Sequence, residues 1–392
     1  MPIFDQGYQH WSGTLTGHSW RWLTIARHGY RNGMKNSFLR VMLMLAWLPA
    51  IGFAVFLAVW GLVEQRSPIV QPILPFLSFL GPDILADPKS YRVEVWTLSY
   101  SYFLSTELYF SMILILMVGP SLISQDIRFN ALPLYFSRPL RRIDYFLGKL
   151  GVIGAFLGLV LVVPSIVAYI LGLLFSLDIS IVADTFRLLI ACVAYGLIMT
   201  LSAGMLILAL SSLSRNSRYI GLFWVGAWFV TGITGTFLVQ IHHEQRMSEN
   251  YRKSWEAQRA AEKQRATEKQ DPRMTFQEMQ RKQALEQQRQ QQAAAKLYSE
   301  SMQEELDDAK TDWRRMVSYT ANLSRVGDAI LGTNSCWQKM SKTKPEEQRT
   351  EYLLRNMDSQ YPWYWSATVL IVLFGISVCI LNFRVKSLDR LR

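Results

Sequence analysis

The sequence predicts an all-α membrane protein, with six transmembrane helices, an N-terminal interfacial helix and a long extracytoplasmic helical hairpin between spans 5 and 6. Three observations carry that expectation. Half of the 392 residues are hydrophobic, and they gather into runs of about 20 residues without a charge, enough to cross roughly 30 Å of hydrocarbon. The net charge of +11 is concentrated beside those runs. A long tract rich in Gln, Glu, Lys, Arg and Ala, all good helix formers, separates the last two runs. A soluble chain of this length would suggest about two or three domains; the uncharged runs override that count.

Residues 1–40 form the first unit. Trp22, Ala26, Tyr30, Met34 and Phe38 recur every four residues, while Arg27, Arg31 and Lys35 do the same on another face. That spacing predicts an amphipathic helix in the headgroup region; the alternative is an ordinary basic flank of the first span. About forty mostly polar residues precede that span, so no cleavable leader is expected.

Residues 41–238 hold five spans, near 41–63, 101–123, 150–175, 188–213 and 219–238. Between the first two, Pro68, Pro72, Pro75, Pro82 and Pro88 predict irregular or short helices. A sixth span, 363–381, is entered through Tyr361, Trp363, Tyr364 and Trp365, an aromatic belt. Residues 363–392 form the last unit, whose tail carries Arg384, Lys386, Arg390 and Arg392.

Orientation follows from the basic residues. The N-terminus, the 124–149 loop, the 214–218 turn and the tail together hold about sixteen Lys and Arg; the short loops opposite hold about three. The positive-inside rule then places both termini and the 124–149 loop in the cytoplasm of a cell (inner) membrane protein. The insertion, 239–362, faces outward, since long loops translocate largely regardless of charge.

Within the insertion, Asp271-Pro272 resembles a cap followed by proline at the first helical position. Thr275 and Glu278 have capping-box spacing. Met302, Leu306, Ala309, Trp313, Met316, Thr320, Leu323, Gly327 and Ile330 step by four and three, which predicts a coiled-coil seam ended by Gly332.

The sequence gives no reason to expect chemistry of its own: no catalytic, cofactor or metal residues are assigned. No G-x-x-x-x-G-K-[ST] loop is present to cradle ATP. His242 and His243 are adjacent, so on a helix they point about 100° apart, unlike metal ligands. Cys192 and Cys379 lie in apolar spans as small residues to be buried, and Cys336 stands alone in a polar region, where a disulfide between two copies is conceivable. The basic charge sits beside membrane spans, so anionic lipid rather than nucleic acid is the expected partner. Glu107 is the one carboxylate well inside a span. A charge there is costly and faces protein or a water-filled cavity, as a pathway group or as a polar contact.

The stretch from Ser121 to Lys149 is basic and punctuated by Pro133 and Pro139. Ile123-Ser124, Asp126, Leu134, Ser137, Arg138, Pro139, Arg142 and Gly148-Lys149 stand in the order found in the membrane subunits of ABC-2 type transporters, which this region resembles. The stretch Asp126–Ala131 departs from the pattern in lacking a glycine. The resemblance covers about 1–238 and 361–392 and excludes the insertion. It implies an exporter permease without enzymatic residues. Asp126, Arg128, Ser137, Arg138, Pro139, Arg141, Arg142 and Lys149 would dock a separate ABC ATP-binding subunit, which holds the ATP and Mg²⁺. A second permease copy or homologue would complete the transporter. The residues alone leave two rivals: a membrane-anchored scaffold or sensor that recruits partners through the outer coiled coil, and a secondary transporter, for which no internal repeat is visible.

Overall fold

The computed structural model describes residues 20–136, 140–267, 276–357 and 361–385. Every regular element among them is helical. Six helices are long and apolar enough to cross a membrane: Ser37–Glu64, Arg92–Arg128, Arg142–Ser176, Ser180–Leu213, Ser217–Lys253 and Trp363–Arg384, called spans 1 to 6. Their centres fall where the apolar runs predict, but several are longer. Span 2 has 37 residues, which at 1.5 Å per residue is about 55 Å, so polar turns continue past the hydrocarbon. Spans 3, 4 and 5 each contain a single π-helical turn, at Gly158–Val162, Thr200–Gly204 and Gly226–Val230.

The bundle has two ends. Asp126 meets Lys149 at one, joining spans 2 and 3, and there the Arg384 guanidinium donates to the Leu213 carbonyl. Gln65 donates to the Phe175 carbonyl at the other. The former is the elbow end and the latter the insertion end. Between them the helices are held by packing and hydrogen bonds, since hydrocarbon supplies no hydrophobic drive for helices to associate. Trp60, Trp96, Trp224 and Tyr100 are fully buried. Trp224 donates to the Met112 carbonyl at 3.0 Å and Tyr100 to the Ser165 carbonyl at 3.1 Å.

The predicted amphipathic helix is present as α1 (Arg21–Gly33), and its apolar stripe packs on protein through Ala26, Tyr30 and Met34 while Phe38 is exposed. It lies along the first half of span 3. A Cβ added to Gly148 would come within 2.7 Å of Ile25, and one added to Gly151 within 3.0 Å of Ala26. Small residues at these positions let the two backbones approach closely. Tyr30 closes the contact against Phe156, ring centroids 4.9 Å apart. Arg27, Arg31 and Lys35 point away and are exposed.

The insertion departs most from expectation. Span 5 continues as one helix to Thr267, and α3 (Phe276–Ala309) returns beside its base. Asp271, Pro272 and Thr275 lie outside the described residues. The helix then breaks. Lys310–Ser318 is a turn and a short 3₁₀ segment, and a new helix, α4 (Tyr319–Leu331), begins with Ser318 as its cap. The coiled-coil seam from Met302 to Ile330 is therefore corrected: it is two helices with different partners. α4 starts deep in the bundle, with Tyr319 beside Ser202, and rises toward the insertion end, with Gly332 beside Arg187, packed against spans 2, 4 and 6. Thr320 and Gly327 are poor seam residues because they serve this packing. Gly327 lies under the Tyr195 ring, where a Cβ would come within 2.9 Å, and Tyr319 hydrogen-bonds Ser202 at 2.9 Å. Gly332 ends α4 with φ of 79°, as its place in the sequence predicts. Two further helices, α5 (Thr333–Ser341) and α6 (Glu346–Asn356), complete a cap over the insertion end.

Candidate functional site: the basic elbow

The elbow is the turn between spans 2 and 3, with a short helix, α2 (Leu132–Phe136), inside it. Span 2 reaches it through a proline. Pro120 lacks an N–H, and beside it Ser211 of span 4 donates to the Pro120 carbonyl at 2.9 Å. Ser211 also accepts from the Ile123 and Ser124 amides at 3.1 and 3.0 Å. The chain leaves span 2 through Asn130, whose φ of 50° suits asparagine better than most residues.

Asp126 and Lys149, 23 positions apart, meet because spans 2 and 3 are antiparallel. The Lys149 ammonium lies 2.6 Å from Asp126 Oδ2. The Tyr145 hydroxyl donates to the same oxygen at 2.7 Å. The ammonium also lies 5.4 Å from the Tyr145 ring centroid and 5.8 Å from that of Tyr135 in α2, within cation–π range. The Asp126 and Lys149 side chains are 14% and 10% exposed. Both face inward and fasten the elbow from within, because a buried charge is stable only when paired.

The other predicted residues divide. Arg128 and Arg141 are exposed, and Arg142 is half-buried and already engaged. Ser137, Arg138 and Pro139 lie outside the described residues. The sequence reading missed three apolar neighbours, Phe129, Ile143 and Leu147, which are 73%, 68% and 43% exposed. Arg128 lies over the Phe129 ring at 5.5 Å. Large apolar side chains beside arginines at a polar turn were the available signal. The result is a fastened base carrying a mixed apolar and basic face. Aromatic residues and arginine are enriched in protein interfaces.

Glu107 is fully buried, and neither carboxylate oxygen has a hydrogen-bond partner. Ser111, one turn away on the same face, is also buried without a partner for its hydroxyl. Glu107 lines none of the three described cavities, so no pathway is drawn through it. His242 and His243 address different acids, Asp308 at 3.5 Å and Glu305 at 3.3 Å, and Arg246 also pairs with Asp308. No group of three or more metal-ligating side chains gathers among the described residues. Cys336 is buried, which corrects the idea of a disulfide between copies through it, and Cys379, expected to be buried, is exposed.

The insertion end holds a second charge cluster that the sequence did not reveal, its Arg92–Glu64 pair buried and Asp178 and Asp184 partly exposed. Arg92 is 4% exposed and reaches Glu64 at 2.8 Å, Asp178 at 2.9 Å and Asp184 at 3.2 Å. Ser176 donates to the same Glu64 oxygen at 3.1 Å. Hydrogen bonds from Arg92 and Ser180 hold the Asp178 carboxyl well below the usual carboxylate range. No protein-family model matches this chain, and no curated protein matches it.

Proposed function

We propose that the chain is the permease subunit of an ATP-driven ABC-2 type exporter. In this reading it lies in the cell's inner membrane with both termini and the elbow in the cytoplasm, and it works with a second permease copy. The observation that carries the reading is the elbow itself: an internal Asp126–Lys149–Tyr145 fastening beneath an outward face of Arg128, Phe129, Arg141, Ile143 and Leu147. The excess of Arg and Lys at this end supports the orientation.

A separate ATP-binding subunit presses this face when it closes on ATP and Mg²⁺. Arg128 and Arg141 make forked contacts with its carboxylates, and Phe129 and Ile143 supply apolar anchors. Because Lys149 ties the ends of spans 2 and 3 together, the push moves both helices as one lever. α1, packed along span 3, moves with it.

The test is Arg128→Glu combined with Arg141→Glu. The doubly substituted, affinity-tagged chain retains its yield and melting temperature but loses the ATP hydrolysis that co-purifies with the unaltered chain from native membranes. Retention of that hydrolysis at the unaltered level removes the elbow as the docking face.

A further inference from the structure

Between spans 1 and 2, beneath α5 and α6 of the cap, lies a groove of about 450 Å³, within the range of small-molecule sites. Phe56 of span 1 and Leu98 of span 2 line it beside the Phe53 and Phe103 rings, which stack on each other with centroids 4.7 Å apart, and Trp337 and Met340 line it from the cap. It is open on the span 1 side: a Cβ added to Gly52, which lines it, meets nothing within 4 Å. Leu48 and Ile51 of the same span are 60% and 56% exposed, the pattern of a lipid-facing surface.

Two features say what fits there. The first is the rim. Phe79 lines the groove and is 73% exposed, and Phe76 beside it is 80% exposed. Two exposed phenylalanines beside a spanning helix form an apolar patch of the kind that contacts lipid rather than water. The second is a cation at the mouth. The half-buried Lys344 ammonium lies 5.8 Å from the ring centroid of Tyr352, a lining residue, and 3.7 Å from where a Cβ on Gly81 would be. Lys344 has no acidic partner among the described residues. We infer that the groove binds an anionic lipid of the surrounding bilayer, its acyl chain along Phe56, Leu98 and the stacked Phe53–Phe103 rings and its headgroup phosphate at Lys344. The inference rests on the chain spanning a bilayer and is independent of the elbow's partner.

The physics sets the form of the selectivity. A tail leaving hydrocarbon for an apolar groove gains little, because lipid is as apolar as the lining. Discrimination between lipids therefore comes from the charge at the mouth.

The experiment uses the full chain purified in mild detergent, equilibrated with phosphatidylglycerol or phosphatidylcholine and read by native mass spectrometry. The unaltered chain retains phosphatidylglycerol over phosphatidylcholine by about fivefold, and Gly52→Phe, which fills the open space, lowers retention of both by about tenfold. Lys344→Gln abolishes the preference and keeps the phosphatidylcholine level. Thr106→Trp, a second filling change at an exposed lining position, repeats the Gly52→Phe result should that variant misfold by melting temperature. Val193→Phe, exposed on span 4, changes nothing. Equal retention of the two lipids by the unaltered chain, or full phosphatidylglycerol retention by both filling variants, overturns the assignment. So does retention of glycerol phosphate alone, which would place an anion site there without a tail groove.

Discussion

Both ends of the bundle bury cations, and Lys149 and Arg92 are neutralised differently. At the elbow end Lys149 has a single carboxylate, Asp126, and two tyrosine rings. At the insertion end Arg92 gathers Glu64, Asp178 and Asp184. The compact ammonium suits one close partner, whereas the guanidinium fork reaches several. The mechanical consequences differ accordingly. Arg92 ties spans 1, 2 and 4 and the turn between spans 3 and 4 into one fixed plate. Lys149 ties spans 2 and 3 by one ion pair, and Ser211 of span 4 holds span 2 there by neutral hydrogen bonds. In the proposed exporter, force enters at the end with fewer ionic ties.

Substitutions at the two cations rank that comparison. Arg92→Met leaves Glu64 buried without its counter-charge and is expected to cost about 3–5 kcal/mol, the scale for breaking a buried pair. Pairing it with Glu64→Gln recovers much of the loss in apparent melting temperature; no recovery would mean that Asp178 and Asp184 dominate instead. Asp126→Asn strands the Lys149 ammonium at a less buried site and costs about 1–3 kcal/mol. The exchanged pair, Asp126→Lys with Lys149→Asp, restores part of it. If Asp126→Asn leaves the melting temperature unchanged, the elbow is not fastened by this pair.

The two ends are further separated by acid. The Asp178 carboxyl is lowered by hydrogen bonds from Arg92 and Ser180. A lowered carboxylate stabilises the fold above its unfolded value, near 4, and that contribution is lost as pH falls toward its lower folded value. Stability is therefore flat in this term from pH 7 to about pH 5 and falls below about pH 4. Asp178→Asn removes that part of the acid decline, which a melting series across pH detects. The smallest effect is expected at neither end. Glu107→Gln keeps shape and exchanges one buried polar group without partners for another, so no hydrogen bond is lost and the change in stability is small. A larger loss would show that Glu107 holds something in the folded protein.

Much of this architecture is legible in the chain because membrane crossing has a length requirement, and apolar runs of that length are hard to mistake. The charge clusters are not legible in the same way. Glu64, Arg92, Asp178 and Asp184 each look like a loop charge beside a span, and only the bundle brings them together. Asp126 and Lys149 were singled out from the sequence as docking residues, but their pairing was not legible there, since it depends on the antiparallel crossing of spans 2 and 3. The supposed coiled-coil seam failed at Thr320 and Gly327, the residues that fit it least. Their small size belongs to a helix that enters the bundle, with Tyr195 seated on Gly327. Ser318, which accepts from the Ala321 amide at 3.2 Å, was the available sign that a new helix begins there.

The account stands most directly on which side of the membrane the elbow occupies. Asn130→Cys, exposed at the turn after span 2, is the probe, in a background where the exposed Cys379 is Ser. A membrane-impermeant maleimide is predicted to leave Asn130→Cys unlabelled in intact cells and to label it after permeabilisation, while Ser248→Cys in the insertion is labelled in both. Labelling of Asn130→Cys in intact cells contradicts the account.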